Sequence, residues 1–81
     1  MTQRASIRKT RPALGGRLRE LRLARGLTQR QVGKLLDVDQ SHVSKWEKRG
    51  GIGMEYLIEL AALYDASLDY IVRGFAPEVA A

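Results

Sequence analysis

The stretch "GLTQRQVGKLLDVDQSHVSKWE", Gly26–Glu47, decides the architecture of this 81-residue chain. Val32, Leu35 and Leu36 recur at helical spacing and form the buried side of one short helix; Val43 and Trp46 do the same for another, from Gln40 to about Lys48. "TQRQ" at the head of the first fits a capping box, in which the Thr28 hydroxyl accepts from the Gln31 amide and the Gln31 side chain reaches back to the Thr28 amide. "DVD" separates the two helices. Asp37 suits a left-handed turn residue, which Asp tolerates better than most, and Asp39 is a good N-cap for the second helix. Gln40, Ser41, His42, Ser44 and Lys45 fill the positions before and between these two, so the outer face of the helix is nearly all hydrogen-bonding side chains.

Working outward, Leu14, Leu18, Leu21 and Ala24 keep an i, i+4, i+7 spacing and predict a helix before this pair, with arginines between them and Gly26 ending it. After it, "RGGIG" breaks the chain, and Leu57, Leu60, Ala61 and Tyr64 mark a fourth helix from about Met54 to Tyr64. Ser67 caps a fifth, carrying Leu68, Ile71 and Val72 and stopped by Gly74. No alternating β pattern and no repeat occurs, so the expected class is all-α, five helices in one compact unit. Three regions are expected: a basic N-terminal arm over residues 1–12 (Arg4, Arg8, Lys9 and Arg11, with no acid), a helical domain over 13–74, and a C-terminal tail over 75–81.

Composition narrows the function classes. A chain of 81 residues has room for one domain with one modest core. Without cysteine it can hold neither a disulfide framework nor a thiolate zinc site. No apolar run approaches the length of a membrane span and the N-terminus is polar, which points to a soluble protein of the cytoplasm. No nucleophile–base pair, metal-ligand cluster or phosphate loop is visible, so neither an enzyme nor a metal, cofactor or small-molecule site is expected. Charge is the strongest signal: residues 1–51 hold 13 basic and 4 acidic side chains, residues 52–81 hold 1 and 5. A basic half joined to an acidic half fits a molecule that offers one face to a polyanion.

Two helices joined by a tight turn cross steeply, and where they touch the residues must be apolar or small. Val32, Leu36, Val38, Val43 and Trp46 meet the first need and Gly33 the second; a glycine in a helix interior costs about 1 kcal/mol relative to alanine, a sign that clearance is required there. With these residues in view, Gly26–Glu47 resembles the phage-repressor and Cro type of helix-turn-helix domain. "LGGRLRELRLARG" before it and "LIELAALYDASLDYIV" after it resemble that family's first, fourth and fifth helices, so the likeness runs from Leu14 to Gly74. The departures are Asp37 and Asp65, where the family favours glycine, and "KRGGIG" in place of a proline-containing loop.

The resemblance implies a lambda-repressor-like fold whose third helix enters the DNA major groove, with Gln40, Ser41, Ser44 and Lys45 facing base edges. Gln can pair bidentately with adenine, and Lys can donate to guanine. Phosphate contacts are expected from Thr28, Gln29 and Arg30 at the N-terminus of the second helix and from His42, Lys48 and Arg49. Arg22 and Glu47 look like surface charges; the resemblance instead implies an ion pair between the first helix and the end of the third. The spacing of Trp46 from Val43 makes it a core residue rather than a base-stacking one. A homodimer is expected because one recognition helix covers few base pairs, with Leu68, Ile71, Val72 and Phe75 as its contacts; Phe75 and Val79 could equally pack back on their own chain. The expected function is a sequence-specific, double-stranded-DNA-binding transcriptional regulator, a repressor by default. The alternative is an antitoxin-like or partner-binding module on the same fold, docking through its acidic half.

Overall fold

The computed structural model describes residues 13–74. The arm residues Arg4, Arg8, Lys9 and Arg11 and the tail residues Phe75 and Val79 therefore lie outside the described residues. Within them are five helices: α1 (Leu14–Ala24), α2 (Gln29–Leu36), α3 (Gln40–Arg49), α4 (Met54–Tyr64) and α5 (Leu68–Arg73). None is long and apolar enough to cross a membrane.

Local signals written in the sequence start and stop these helices. Thr28 Oγ1 accepts from the Gln31 amide at 3.0 Å and the Thr28 amide donates to Gln31 Oε1 at 2.8 Å, closing the capping box. Asp37 takes the left-handed conformation at φ 59°, ψ 45°, and Asp39 Oδ2 accepts from the Ser41 amide at 2.9 Å to open α3. The second aspartate in a glycine-favoured place, Asp65, also turns left-handed, at φ 54°. Ser67 Oγ caps α5 through the Tyr70 amide, and Gly74 ends it at φ 90°. Gly50 and Gly51, at φ 75° and 67°, carry the chain from α3 to α4 with no proline.

The core joins all five helices: Leu18, Val32, Leu36, Val43, Trp46, Leu57, Leu60, Ala61, Tyr64 and Ile71. α3 is central, packing against both α1 and α2. It approaches α1 closely at Gly15. A Cβ on Gly15 would overlap the Glu47 carbonyl oxygen and stand 2.7 Å from that of Trp46. Gly33 is required for a different neighbour than helix crossing alone suggests: a Cβ there would meet the Val38 carbonyl oxygen, in the turn itself, at 2.8 Å.

Three expectations need correction. Leu35, assigned to the buried side of α2, is 60% exposed, because the narrow contact with α3 is filled by Val32, Gly33 and Leu36. Ala24 is exposed, and α1 buries Gly15, Arg17, Leu18 and Arg22, since the Gly15 approach to α3 fixes the rotation of the helix. Ile71 is fully buried in the core of its own chain and offers no surface to a second copy.

Candidate nucleic-acid interface

Burial on one side and exposure on the other divide α3 along its length. Val43, Trp46 and Glu47 point inward. Trp46 packs on Tyr56 with ring centroids 5.2 Å apart, and the His42 ring sits 6.3 Å from Trp46 on the outer side. The opposite face carries Gln40, Ser41, His42, Lys45, Lys48 and Arg49, all exposed, with Ser44 half-buried among them. Ser41, Ser44, Lys45, Lys48 and Arg49 line one shallow open depression, as their i, i+3, i+4, i+7 spacing requires. Three of the four residues assigned to base edges, Ser41, Ser44 and Lys45, thus share this depression, and Gln40 is exposed at the first position of the helix. The helix starts at a firm cap: hydrogen bonds from Ser41 hold the exposed Asp39 carboxylate below its ordinary range.

At the N-terminus of α2, Thr28 and Arg30 are exposed, and Thr28 carries the capping box. Gln29 differs. It is half-buried, and its Nε2 donates to Glu47 Oε1 at 3.0 Å, so its side chain faces the protein.

Arg22 and Glu47 meet as a buried, two-pronged pair, Nε to Oε2 at 2.7 Å and Nη2 to Oε1 at 3.1 Å. Arg22 Nη1 also donates to the Leu27 carbonyl at 2.8 Å. The hydrogen bond to Glu47 raises the Arg22 guanidinium above its ordinary value, against the opposing pull of burial. Tyr64 lies close enough to feel both charges. Burial first, then the Glu47 charge, pushes its phenol up to about 12, and its hydroxyl has no hydrogen-bond partner among the described residues.

Two further arginines of the basic half hold helix C-termini, one buried and one exposed. Arg17 is buried and donates to the Ile71 and Val72 carbonyls at 2.8 and 3.1 Å, closing the C-terminus of α5. Arg25 does the same for α4, through the Tyr64 carbonyl at 3.3 and 3.2 Å, with Asp65 3.4 Å away. Sequence reasoning places Arg17 and Arg25 only as charges between apolar positions. Their one available signal is the favourable meeting of a cation with a helix C-terminus, whose location a sequence does not supply. Gly15 is findable on the logic applied to Gly33: a glycine pair inside a helix that otherwise favours leucine and arginine.

Residues 18–71 match the family model described as helix-turn-helix, from within α1 to within α5. The chain belongs to the helix-turn-helix family. Among curated proteins this helix-turn-helix chain is similar to an uncharacterized HTH-type transcriptional regulator of Rickettsia conorii, 32% identical over 69 residues, covering 84% of this chain and 55% of the relative. A counterpart from Rickettsia prowazekii is also 32% identical over 69 residues, covering 84% of this chain and 53% of the relative. The chain thus spans about half the length of the curated relatives it matches. Among solved structures it is similar to the P22 c2 repressor, determined in complex with a synthetic operator, with a TM-score of 0.73 and 28% identity over 79% of this chain and 98% of that one.

Proposed function

We propose that this helix-turn-helix chain is a sequence-specific, double-stranded-DNA-binding transcriptional regulator that acts as a repressor. The observation that carries the reading is the division of α3: Val43 and Trp46 bury one side, and Gln40, Ser41, Ser44 and Lys45 line the other with donors and acceptors. A solvated helix face needs no particular chemistry, whereas a base-reading face needs groups matched to the major-groove edges. The likeness to a repressor solved with operator DNA and to relatives named as transcriptional regulators supports the same reading. In this account Thr28 and Arg30 meet one phosphate region through the α2 N-terminus, and His42, Lys48 and Arg49 meet another; the arm residues Arg4, Arg8, Lys9 and Arg11 add contacts of their own.

The protein binds as a homodimer, placing two copies of α3 on half-sites about 10 bp apart. Leu68 and Val72, 37% and 53% exposed on α5, supply the self-contact, extended by Phe75. Occlusion of a promoter is the mechanism, the setting is cytoplasmic, and neither catalysis nor a cofactor is invoked.

One observation favours a second reading, a partner-binding module. The outer side of α4 exposes Met54 and Ile58 beside Glu55 and Glu59, an apolar strip edged with acid. Fluorescence anisotropy with random duplex DNA at two salt concentrations separates the readings. Micromolar binding that weakens steeply with salt is expected for the DNA reading; no salt-sensitive binding at that concentration favours the partner module.

A further inference from the structure

The outer side of α4 carries two parallel rows of exposed side chains. Met54, Ile58 and Ala62 follow one another at i, i+4, i+8 and form an apolar row. Glu55 and Glu59 form an acidic row beside it, and neither is ion-paired among the described residues. α4 holds no basic residue, and the single cation between residues 52 and 74, Arg73, lies 3.0 Å from Asp69.

A segment complementary to this strip belongs to the same chain. Residues 1–12 contain Arg4, Arg8, Lys9 and Arg11, no acid, and one large aliphatic side chain, Ile7. The layouts match with the charges reversed. Ile7 has a cation three positions before it and another directly after it; Ile58 has Glu55 and Glu59 at the same two offsets. The point of departure is also close. Leu14, the first residue of α1, lies beside Gly50, where a Cβ would stand 3.6 Å from Leu14 Cδ2. Gly50 leads through Gly51, Ile52 and Gly53 into Met54 at the head of α4. The strip from Met54 to Ala62 is about 12 Å long at the helical rise. An extended chain covers about 3.3 Å per residue, so residues 1–12 have length to spare.

We propose that the outer strip of α4 is a dock for this chain's own basic N-terminal segment, with Ile7 on Met54 and Ile58, and Arg4 and Arg8 on Glu55 and Glu59. Exposed ion pairs with one apolar contact are weak beside the folding free energy, so the dock governs where the segment lies and not whether the domain folds. Phosphates and α4 carboxylates then compete for the same cations, and the segment leaves the strip when duplex DNA is offered. That exchange rests on the DNA-binding reading above; the dock itself does not.

The chain has no cysteine, so Ser6→Cys accepts a single nitroxide label beside Ile7. In the full chain without DNA, the label is expected to broaden the amide resonances of Met54, Ile58 and Ala62 more strongly than those of Gln40, Ser41 and Ser44. Glu55→Gln combined with Glu59→Gln should remove most of that broadening, as should Ile58→Ser alone, which leaves the charge unaltered; added salt should weaken it. Broadening equal on α3 and α4, or surviving both variants, would overturn the dock. A mixture of labelled chain with unlabelled, isotope-enriched chain should show none; broadening there would seat the segment on a second copy and overturn the intrachain assignment. Saturation with a duplex selected from a random library should sharpen the α4 resonances again, and persisting broadening would overturn the exchange. If no duplex binds, the DNA-binding reading fails and the exchange with it, while the DNA-free broadening still decides the dock.

Discussion

Removing the Glu47 carboxylate strips Arg22 of two hydrogen bonds inside the protein while leaving its charge there. Half of a buried pair is worse than none, and the cost of breaking one from a single side is about 3–5 kcal/mol. Glu47→Ala is expected to lose stability on that scale in urea unfolding; a loss below about 1 kcal/mol, the range of a surface pair, would show that the contact is solvated. Tyr64 predicts the opposite sign. Its buried hydroxyl has no partner among the described residues, so Tyr64→Phe should raise stability by about 1 kcal/mol at neutral pH, read as a higher melting temperature. The same residue makes the fold sensitive to alkali. Its phenol is raised to about 12 in the folded chain against 10 in the unfolded one, so the unfolded state gives up its proton first. Stability intact below pH 10 should fall between pH 10 and 12, and Tyr64→Phe should remove that part of the fall.

Among the elements, α1 and α3 are held at a separation that only glycine allows. Gly15→Ala improves the intrinsic helix propensity of α1 by about 1 kcal/mol, yet its methyl group meets backbone carbonyls of Trp46 and Glu47 that no rotamer change can move. The net effect should be a loss of about 1–3 kcal/mol, seen as a lower thermal midpoint; a gain would mean that α1 and α3 stand further apart. How far the elements can be read from sequence depends on the range of the forces involved. The Thr28–Gln31 box, the left-handed Asp37 and Asp65, the Asp39 and Ser67 caps and the stop at Gly74 involve residues a few positions apart, and each is legible from spacing. So is the inward side of α3, because Val43 and Trp46 lie three positions apart on one short helix. Leu35 and Ala24 are misplaced by spacing because both sit at the edge of an apolar stripe, where a modest rotation of the helix decides exposure, and contacts from distant parts of the chain set that rotation. Ile71 reads as a dimer contact for a related reason. α5 is apolar on more than one side, and which side meets the core depends on Arg17 reaching its end from α1, 54 positions away.

For the whole molecule, the count of 14 basic and 9 acidic residues overstates what is offered to a polyanion. Arg17, Arg22 and Arg25 hold helix ends and a buried carboxylate in place. The exposed cations of α3, namely Lys45, Lys48 and Arg49, stand beside Gln40 and Ser41, on the opposite side of that helix from the core. Long-range attraction from these cations and from the basic segment over residues 1–11 is proposed to bring the face to DNA, and short-range hydrogen bonds to choose the site. Deleting residues 1–11 should flatten the salt dependence of duplex binding by about 0.9 for each phosphate no longer neutralised, with thermal stability unchanged. An unchanged slope would show that the segment takes no part. Replacing one base-facing side chain should act differently: Gln40→Ala is expected to weaken binding to a selected site by about 1–3 kcal/mol and to relax preference at one base position, leaving random-duplex binding little changed. The most direct test is an NMR titration of the full chain with a duplex chosen from a random library. Shifts are expected to concentrate at Gln40, Ser41, Ser44 and Lys45 and at Thr28 and Arg30; shifts confined to the outer side of α4, at Met54, Ile58 and Glu59, would contradict a base-reading role for α3.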